Sequence, residues 1–241
     1  MYKDYSGPKV DIQPDDLSKY ENGDWVIEPK IDGMWAAMVV KSGSLSFYSR
    51  AGLTPDKCYI SELSKFKLPF DNAIICGELN ASTDRASRDY ARNGFYSFYA
   101  FDILEVGKNN FRKLSYLDRR KKLSLVFQEI NFLYSHLPGR LLEVPYAGNL
   151  FRHRYEHIVS NSGEGVILKN IHAKFTAGKN EDIVRCKERL TDDFVLMDIG
   201  TTDGGDKTGV WGQYHNGKLH YVMRSQPKDM SILCEANIGK Y

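Results

Sequence analysis

The chain has 241 residues, 42% apolar and 27% charged, and its 33 basic and 31 acidic side chains leave a formal charge of +2. This suits an ordinary globular protein of one large domain, or of one medium and one small domain. No stretch approaches the roughly 18 apolar residues that span a bilayer, so a helical membrane protein is excluded, and the near-balanced charge does not by itself demand a nucleic-acid partner.

The elements follow in chain order. "MYKDYSGPKVDIQPDDLSKY" has no apolar leader core, and Cys58, Cys76, Cys186 and Cys234 form no CxxC pair. Both features predict a cytoplasmic protein with reduced thiols. Val26-Ile27 and Ala36–Val40 read as strands on either side of "EPKIDGMW", residues 28 to 35. Residues 34–49 form a hairpin, "MWAAMVV" turning through "KSGS" into "LSFYSR". "NAIICGEL" (72–79) is a strand, residues 82–94 are polar and helical or looped, and "FYSFYAFDIL" (95–104) is strongly strand-like. A helix spans 115–130, capped by Ser115 and Asp118, with Leu123, Val126, Phe127 and Ile130 on one face. A second helix covers 149–160, and strands cover 164–170 and 182–188. After Arg189 short strands with Gly-rich turns take over, including the "HNGK" hairpin signal. The fold class is α+β: a domain at 1–188 of mixed, mainly antiparallel sheets with helices, then a small β-barrel-like domain at 189–241.

Lys30 stands where a strand that only had to fold would not place it. A free lysine has a pKa of about 10.4 and is a poor nucleophile near neutrality. Burial and nearby cations lower that value and yield a usable amine. Pro29 stiffens the approach, Gly33 permits close approach, and Asp32 would share a face with Lys30 if the strand continued. K-x-D-G alone is a weak signal, and by itself it reads more readily as a turn carrying a paired surface lysine.

Five further stretches decide it. "EPKIDG" resembles the nucleophile motif of the covalent nucleotidyltransferases: ATP-dependent DNA ligases, RNA ligases and mRNA capping enzymes. "SRAG" (49–52), "CGEL" (76–79), "YAFDIL" (99–104), "EGVILK" (164–169) and "VRCK" (184–187) resemble that superfamily's later motifs and occur in its order. "LTDDFVLMDIG" resembles the entry to the OB domain of DNA ligases, and the resemblance is closest to the small ATP-dependent ligases of phages and bacteria.

The resemblance implies a nucleotidyltransferase (adenylation) domain followed by a short OB-fold barrel. It implies Lys30 and Asp32 as catalytic residues, with Lys30 holding AMP as a phosphoramidate. Glu28 would read the adenine edge, Arg50 would contact the nucleotide, and Phe101 would stack on the base. Lys169, Arg185 and Lys187 would neutralise phosphate charge, and Arg185 and Lys187 share a strand face. Glu78 and Glu164 are hard oxygen ligands for Mg²⁺ or Mn²⁺, Glu78 alternatively serving the ribose. Asp102 reads as structural. The implied cofactor is ATP, and the implied partner is nicked double-stranded DNA, gripped by a monomer closing around the duplex. Its backbone contacts would come from Arg85, Arg88, Arg92, Lys207, Lys218 and Arg224.

Three departures from the family pattern stand out. Trp35 occupies a position where DNA ligases commonly carry an arginine for the nick's 5′-phosphate. Either another cation takes that role or Trp35 packs under the lysine loop, and packing is the expectation. The late basic motif that orients pyrophosphate has no match, and Arg185 stands where lysine is more usual. An RNA ligase or a capping guanylyltransferase would share Lys30, and a catalytically dead nucleic-acid-binding module is a further alternative.

Overall fold

The computed structural model describes residues 3–52, 63, 66–80, 97–134, 140–187, 194–215, 217–227 and 230–239. The chain divides into two compact units, Met1–Glu188 and Arg189–Tyr241. Among the described residues no helix is long and apolar enough to cross a membrane.

The first unit contains ten strands and two α-helices among its described residues. They are β1 (Ser6–Asp11), β2 (Trp25–Pro29), β3 (Met34–Lys41), β4 (Ser44–Ser49), β5 (Asn72–Asn80), β6 (Ser97–Val106), β7 (Asn109–Asn110), α1 (Tyr116–Tyr134), β8 (Arg140–Glu143), α2 (Phe151–Ser160), β9 (Gly165–Asn170) and β10 (Gly178–Lys187). Two sheets result. The first has the order β1-β10-β9-β2, with only the β1/β10 pair parallel. The second runs β4-β3-β5-β6-β7, with β8 added parallel to β6.

The two strands flanking Lys30 therefore belong to different sheets. The Lys30 amide donates to the carbonyl of Gly165 at 2.9 Å, extending the β2/β9 ladder by one bond. Residues 30–33 then leave the strand and cross to β3. Strand alternation thus stops at Lys30, and the shared face expected for Lys30 and Asp32 does not exist as strand geometry.

Each sheet buries one face under a helix. Ala36, Met38 and Val40 of β3, Ile75 and Leu79 of β5, and Phe98, Ala100 and Ile103 of β6 pack against Leu123, Val126, Phe127 and Ile130 of α1. Beneath α2, Phe151 and Tyr155 meet Leu17, Ile27, Val166, Leu168, Val184 and Cys186. Ile74, Cys76 and Leu104 form a smaller cluster with Trp35, Phe101 and Phe175. The β5/β6 register shifts twice and skips Phe101 and Leu104, each the extra residue of a bulge. Bulges re-aim side chains, and both skipped residues join this smaller cluster.

β1 was not legible in the sequence. "SGPKVD" carries Gly7 and Pro8, which depress strand propensity, but an edge strand tolerates proline because one side of it needs no donor. Its partner β10 starts four residues before the expected strand at 182, since the polar stretch "GKN" is paired by β1.

The second unit shows three antiparallel strands among its described residues, β11 (Val195–Thr201), β12 (Lys207–His215) and β13 (Lys218–Ser225), then two 3-10 turns at Met230–Ile232 and Glu235–Asn237.

Candidate active site

A cavity of about 510 Å³ opens in the first unit, within the size range of small-molecule sites. Glu28, Lys30, Arg50, Glu78, Phe101, Lys169, Arg185 and Lys187 all contribute to its wall, together with Tyr5, Trp35 and Ile167. Strand alternation on β2 and its one-residue extension brings Glu28 and Lys30 to the same side.

The Lys30 Nζ donates to Glu164 Oε2, and both side chains are largely buried. Burial first, then the positive charge of Lys187, pulls the Lys30 amine below its usual value; Glu78 and Asp32 oppose this, and Arg185 adds to it. Glu164 stands just before β9, where Gly165 has φ +121° and a Cβ would come within 2.9 Å of the Lys187 Cα. Only glycine lets β9 and β10 approach closely enough to bring Glu164, Lys30 and Lys187 together. Asp32 lies beside Lys30 and Glu78 electrostatically, without lining the cavity wall.

Glu78 faces Trp35 across the β3/β5 ladder. Its Oε2 is enclosed and accepts no hydrogen bond among the described residues. Burial, only partly offset by Lys30, pushes its carboxyl up to about 7. Such an oxygen is suited to a hard cation. Among the described residues no group of three or more His, Cys, Asp or Glu side chains can hold a metal by itself. The enclosed Glu78 oxygen fits Mg²⁺, which commonly takes one or two carboxylates and completes its shell with water and phosphate.

Glu28, also on the wall, is only 2% exposed. Lys169 Nζ lies 2.8 Å from its Oε2, while Oε1 accepts from the Tyr116 hydroxyl and has Arg120 Nη1 at 3.7 Å. Lys169 also stands 4.0 Å from the centroid of the Phe101 ring. Lys169 thus lines the cavity with its amine engaged by the buried Glu28 carboxylate, which requires a cation.

Arg185 is also engaged. Its guanidinium grips Asp11 of β1 with two bonds of 2.8 and 2.7 Å. Arg50 stacks over the Tyr5 ring at 5.2 Å. Trp35 meets Tyr5 edge-on at 5.2 Å and packs on the Ile74, Cys76 and Leu104 cluster. Asp102 is tied to Arg119 by bonds of 2.8 and 2.9 Å and accepts from the Ile103 amide, a structural role.

Arg85, Arg88 and Arg92 lie outside the described residues. Lys207 and Lys218 stand at opposite ends of the three-stranded sheet. Arg224, on β13, lies close to Gly200.

Sequence reasoning missed Tyr5, Asp11, Tyr116 and Arg120. One signal was available for Arg120: it lies three and seven residues before Leu123 and Phe127, on the apolar face of α1. Nothing local marks Tyr5 or Asp11, because their relevance depends on β1 pairing with β10 from the far end of the chain.

An adenylation-type cavity between two sheets, with a lysine facing carboxylates, is the architecture of covalent nucleotidyltransferases. Residues 9–187 match the family described as the ATP dependent DNA ligase domain, and the chain belongs to that family. It is 25% identical over 203 residues to the multifunctional non-homologous end joining protein LigD of Mycolicibacterium smegmatis; the match covers 80% of this chain but only 25% of that protein. Its fold is similar to that of mycobacterial DNA ligase D complexed with ATP and MES, with a TM-score of 0.60 and 19% identity over 91% of this chain and 70% of that one. It is also similar to the ATP-dependent DNA ligase of bacteriophage T7 in complex with ATP, with a TM-score of 0.55 and 15% identity over 92% and 81% of the respective chains.

Proposed function

We propose that the protein is an ATP-dependent DNA ligase that seals nicks in duplex DNA through a lysyl-AMP intermediate on Lys30. One observation carries this reading: the Lys30 amine lines the cavity with its pKa lowered by burial and by Lys187, in contact with Glu164. The neutral amine attacks the α-phosphorus of ATP. An N–P bond forms, the bond to the bridging α–β oxygen breaks, pyrophosphate leaves, and the amine proton passes by way of Glu164 to solvent. An oxygen of the nick's 5′-phosphate then attacks the adenylate phosphorus, and the N–P bond breaks. Finally the 3′-hydroxyl attacks that 5′-phosphate, and AMP leaves.

Lys187 and Arg185, both on the cavity wall, would neutralise phosphate charge, Arg185 after exchanging Asp11 for phosphate. Glu78 and Glu164 would hold Mg²⁺ or Mn²⁺, whose chemistry is to neutralise and orient phosphate oxygens. Phe101 offers a face to the base. The three antiparallel strands of residues 189–241 support a short OB-fold, and in this reading a monomer closes around the duplex inside the cell. Backbone contacts from Lys207, Lys218 and Arg224, with Arg85, Arg88 and Arg92, would then weaken as salt rises.

The test is incubation with labelled ATP or GTP and Mg²⁺, followed by a nicked duplex. The expected result is an AMP adduct that is chased into sealed DNA. Labelling by GTP alone, or sealing only of RNA ends, would sink the reading.

A further inference from the structure

We infer that Tyr116, supported by Arg120, is a positioning residue that fixes the Glu28 carboxylate as the selector of a 6-amino purine. The inference rests on the proposed use of a nucleotide by this cavity.

Glu28 lines the cavity, yet both its oxygens are already tied down from the protein side. Oε1 receives the Tyr116 hydroxyl proton and faces Arg120 Nη1 at 3.7 Å, while Oε2 is 2.8 Å from Lys169 Nζ. Lys169 also donates into the Tyr116 oxygen at 3.3 Å. A hydroxyl has one proton and two lone pairs, so Tyr116 gives its proton to Glu28 and accepts from Lys169. Burial and then the Glu28 charge hold the Tyr116 phenol well above its usual value, which keeps that proton in place. Arg120 is fully buried and anchored on Glu143 Oε1 at 3.0 Å and on the Val144 carbonyl. Val144 itself lines the same cavity.

This arrangement has a chemical consequence. Each carboxylate oxygen keeps one lone pair for a donor approaching from the cavity, and the carboxylate offers no proton of its own. An exocyclic amine at the purine 6-position satisfies it. A 6-oxo group instead turns its own lone pairs on a buried anion that has no proton to donate, and that repulsion is the source of the discrimination. Phe101, whose face carries Lys169, lines the cavity beside Glu28 and would set the plane in which the base edge is presented. Removing the Tyr116 hydroxyl frees Oε1 to rotate toward Arg120 and leaves Lys169 with a weaker partner set. The carboxylate then stays in the site but is no longer aimed.

The experiment measures the first-order rate of lysyl-nucleotide formation in wild type, Tyr116→Phe and Arg120→Lys with ATP, GTP and the triphosphate of purine riboside, which lacks the 6-amino group. Wild type should prefer ATP over both others by a hundredfold or more. In Tyr116→Phe that preference should fall at least tenfold while the rate at saturating ATP changes less, and Arg120→Lys should give a smaller loss in the same direction. Equal losses with all three nucleotides would show a merely structural role and overturn the inference, as would unchanged preference in a folded Tyr116→Phe protein. If wild type forms no adduct with any of the three, it is the proposed function that fails.

Discussion

Two carboxylates of the cavity wall solve the problem of burial in opposite ways. Glu28 has a donor or cation on each oxygen and is closed off from the protein side. Glu78 has an enclosed Oε2 with no hydrogen bond among the described residues and a carboxyl pushed up to about 7. A carboxylate that is fully paired before any ligand arrives is a rigid template, able to select by shape and lone-pair direction. A carboxylate left poorly solvated carries free energy that a cation releases. In the proposed function, this contrast would assign recognition to Glu28 and charge-driven chemistry to Glu78.

The largest effect expected is that of Lys30→Ala, which should abolish the labelled adduct entirely when read by denaturing electrophoresis and mass spectrometry. Residual labelling would locate the nucleophile elsewhere. Adduct formation by wild type should accelerate with rising pH as the depressed Lys30 amine loses its proton. A flat profile would contradict that origin.

Trp35 shares the cavity wall with both carboxylates, and Trp35→Ala should cost about 3 kcal/mol in urea unfolding, because it empties the space between Tyr5 and the Ile74, Cys76 and Leu104 cluster. Trp35→Arg should cost at least as much despite restoring the family's more usual charge. Unchanged stability in either variant would mean that Trp35 is there for the nick and not for packing.

Glu78→Gln tests the enclosed carboxylate directly. Its folded value of about 7 lies above the ordinary 4.5, so folding favours the protonated form. The stability this contributes is complete below about pH 4.5 and lost as pH rises through 7. Metal-free Glu78→Gln should therefore gain up to about 3 kcal/mol over wild type at pH 8 relative to its difference at pH 4.5. A pH-independent difference would remove the distinction between the two carboxylates. In the same way Mg²⁺ should raise the Tm of wild type more at pH 8 than at pH 5.5, and Glu78→Gln should lose that pH dependence.

The smallest effect is expected for Asp11→Asn. The pair it forms with Arg185 is partly exposed, so its loss should cost under about 1 kcal/mol. The adduct should form no more slowly, since Arg185 is then freed for phosphate. A marked slowing would show that Asp11 aims Arg185 and does not merely occupy it.

Much of the site was legible in the chain itself. The order of "EPKIDG", "SRAG", "CGEL", "YAFDIL", "EGVILK" and "VRCK" marked eight residues that the structure brings to one cavity wall. Hydrophobic spacing was enough for both helices, the β3/β4 hairpin, β5, β6 and β9, because those elements bury one regular face against a neighbour. The three strands of residues 189–241 were legible through their Gly-rich turns.

What the linear pattern determined was therefore the identity and order of the chemical groups, along with the elements that carry them. Tertiary structure alone decided how those groups are partnered. It turned Lys169 toward Glu28 and the Phe101 ring, tied Arg185 to Asp11, set Trp35 on Tyr5, and brought Tyr116 and Arg120 beneath Glu28. Each of these contacts joins residues far apart in sequence. A buried charge takes whichever counter-charge the packing delivers, and local propensity carries no information about which one that will be.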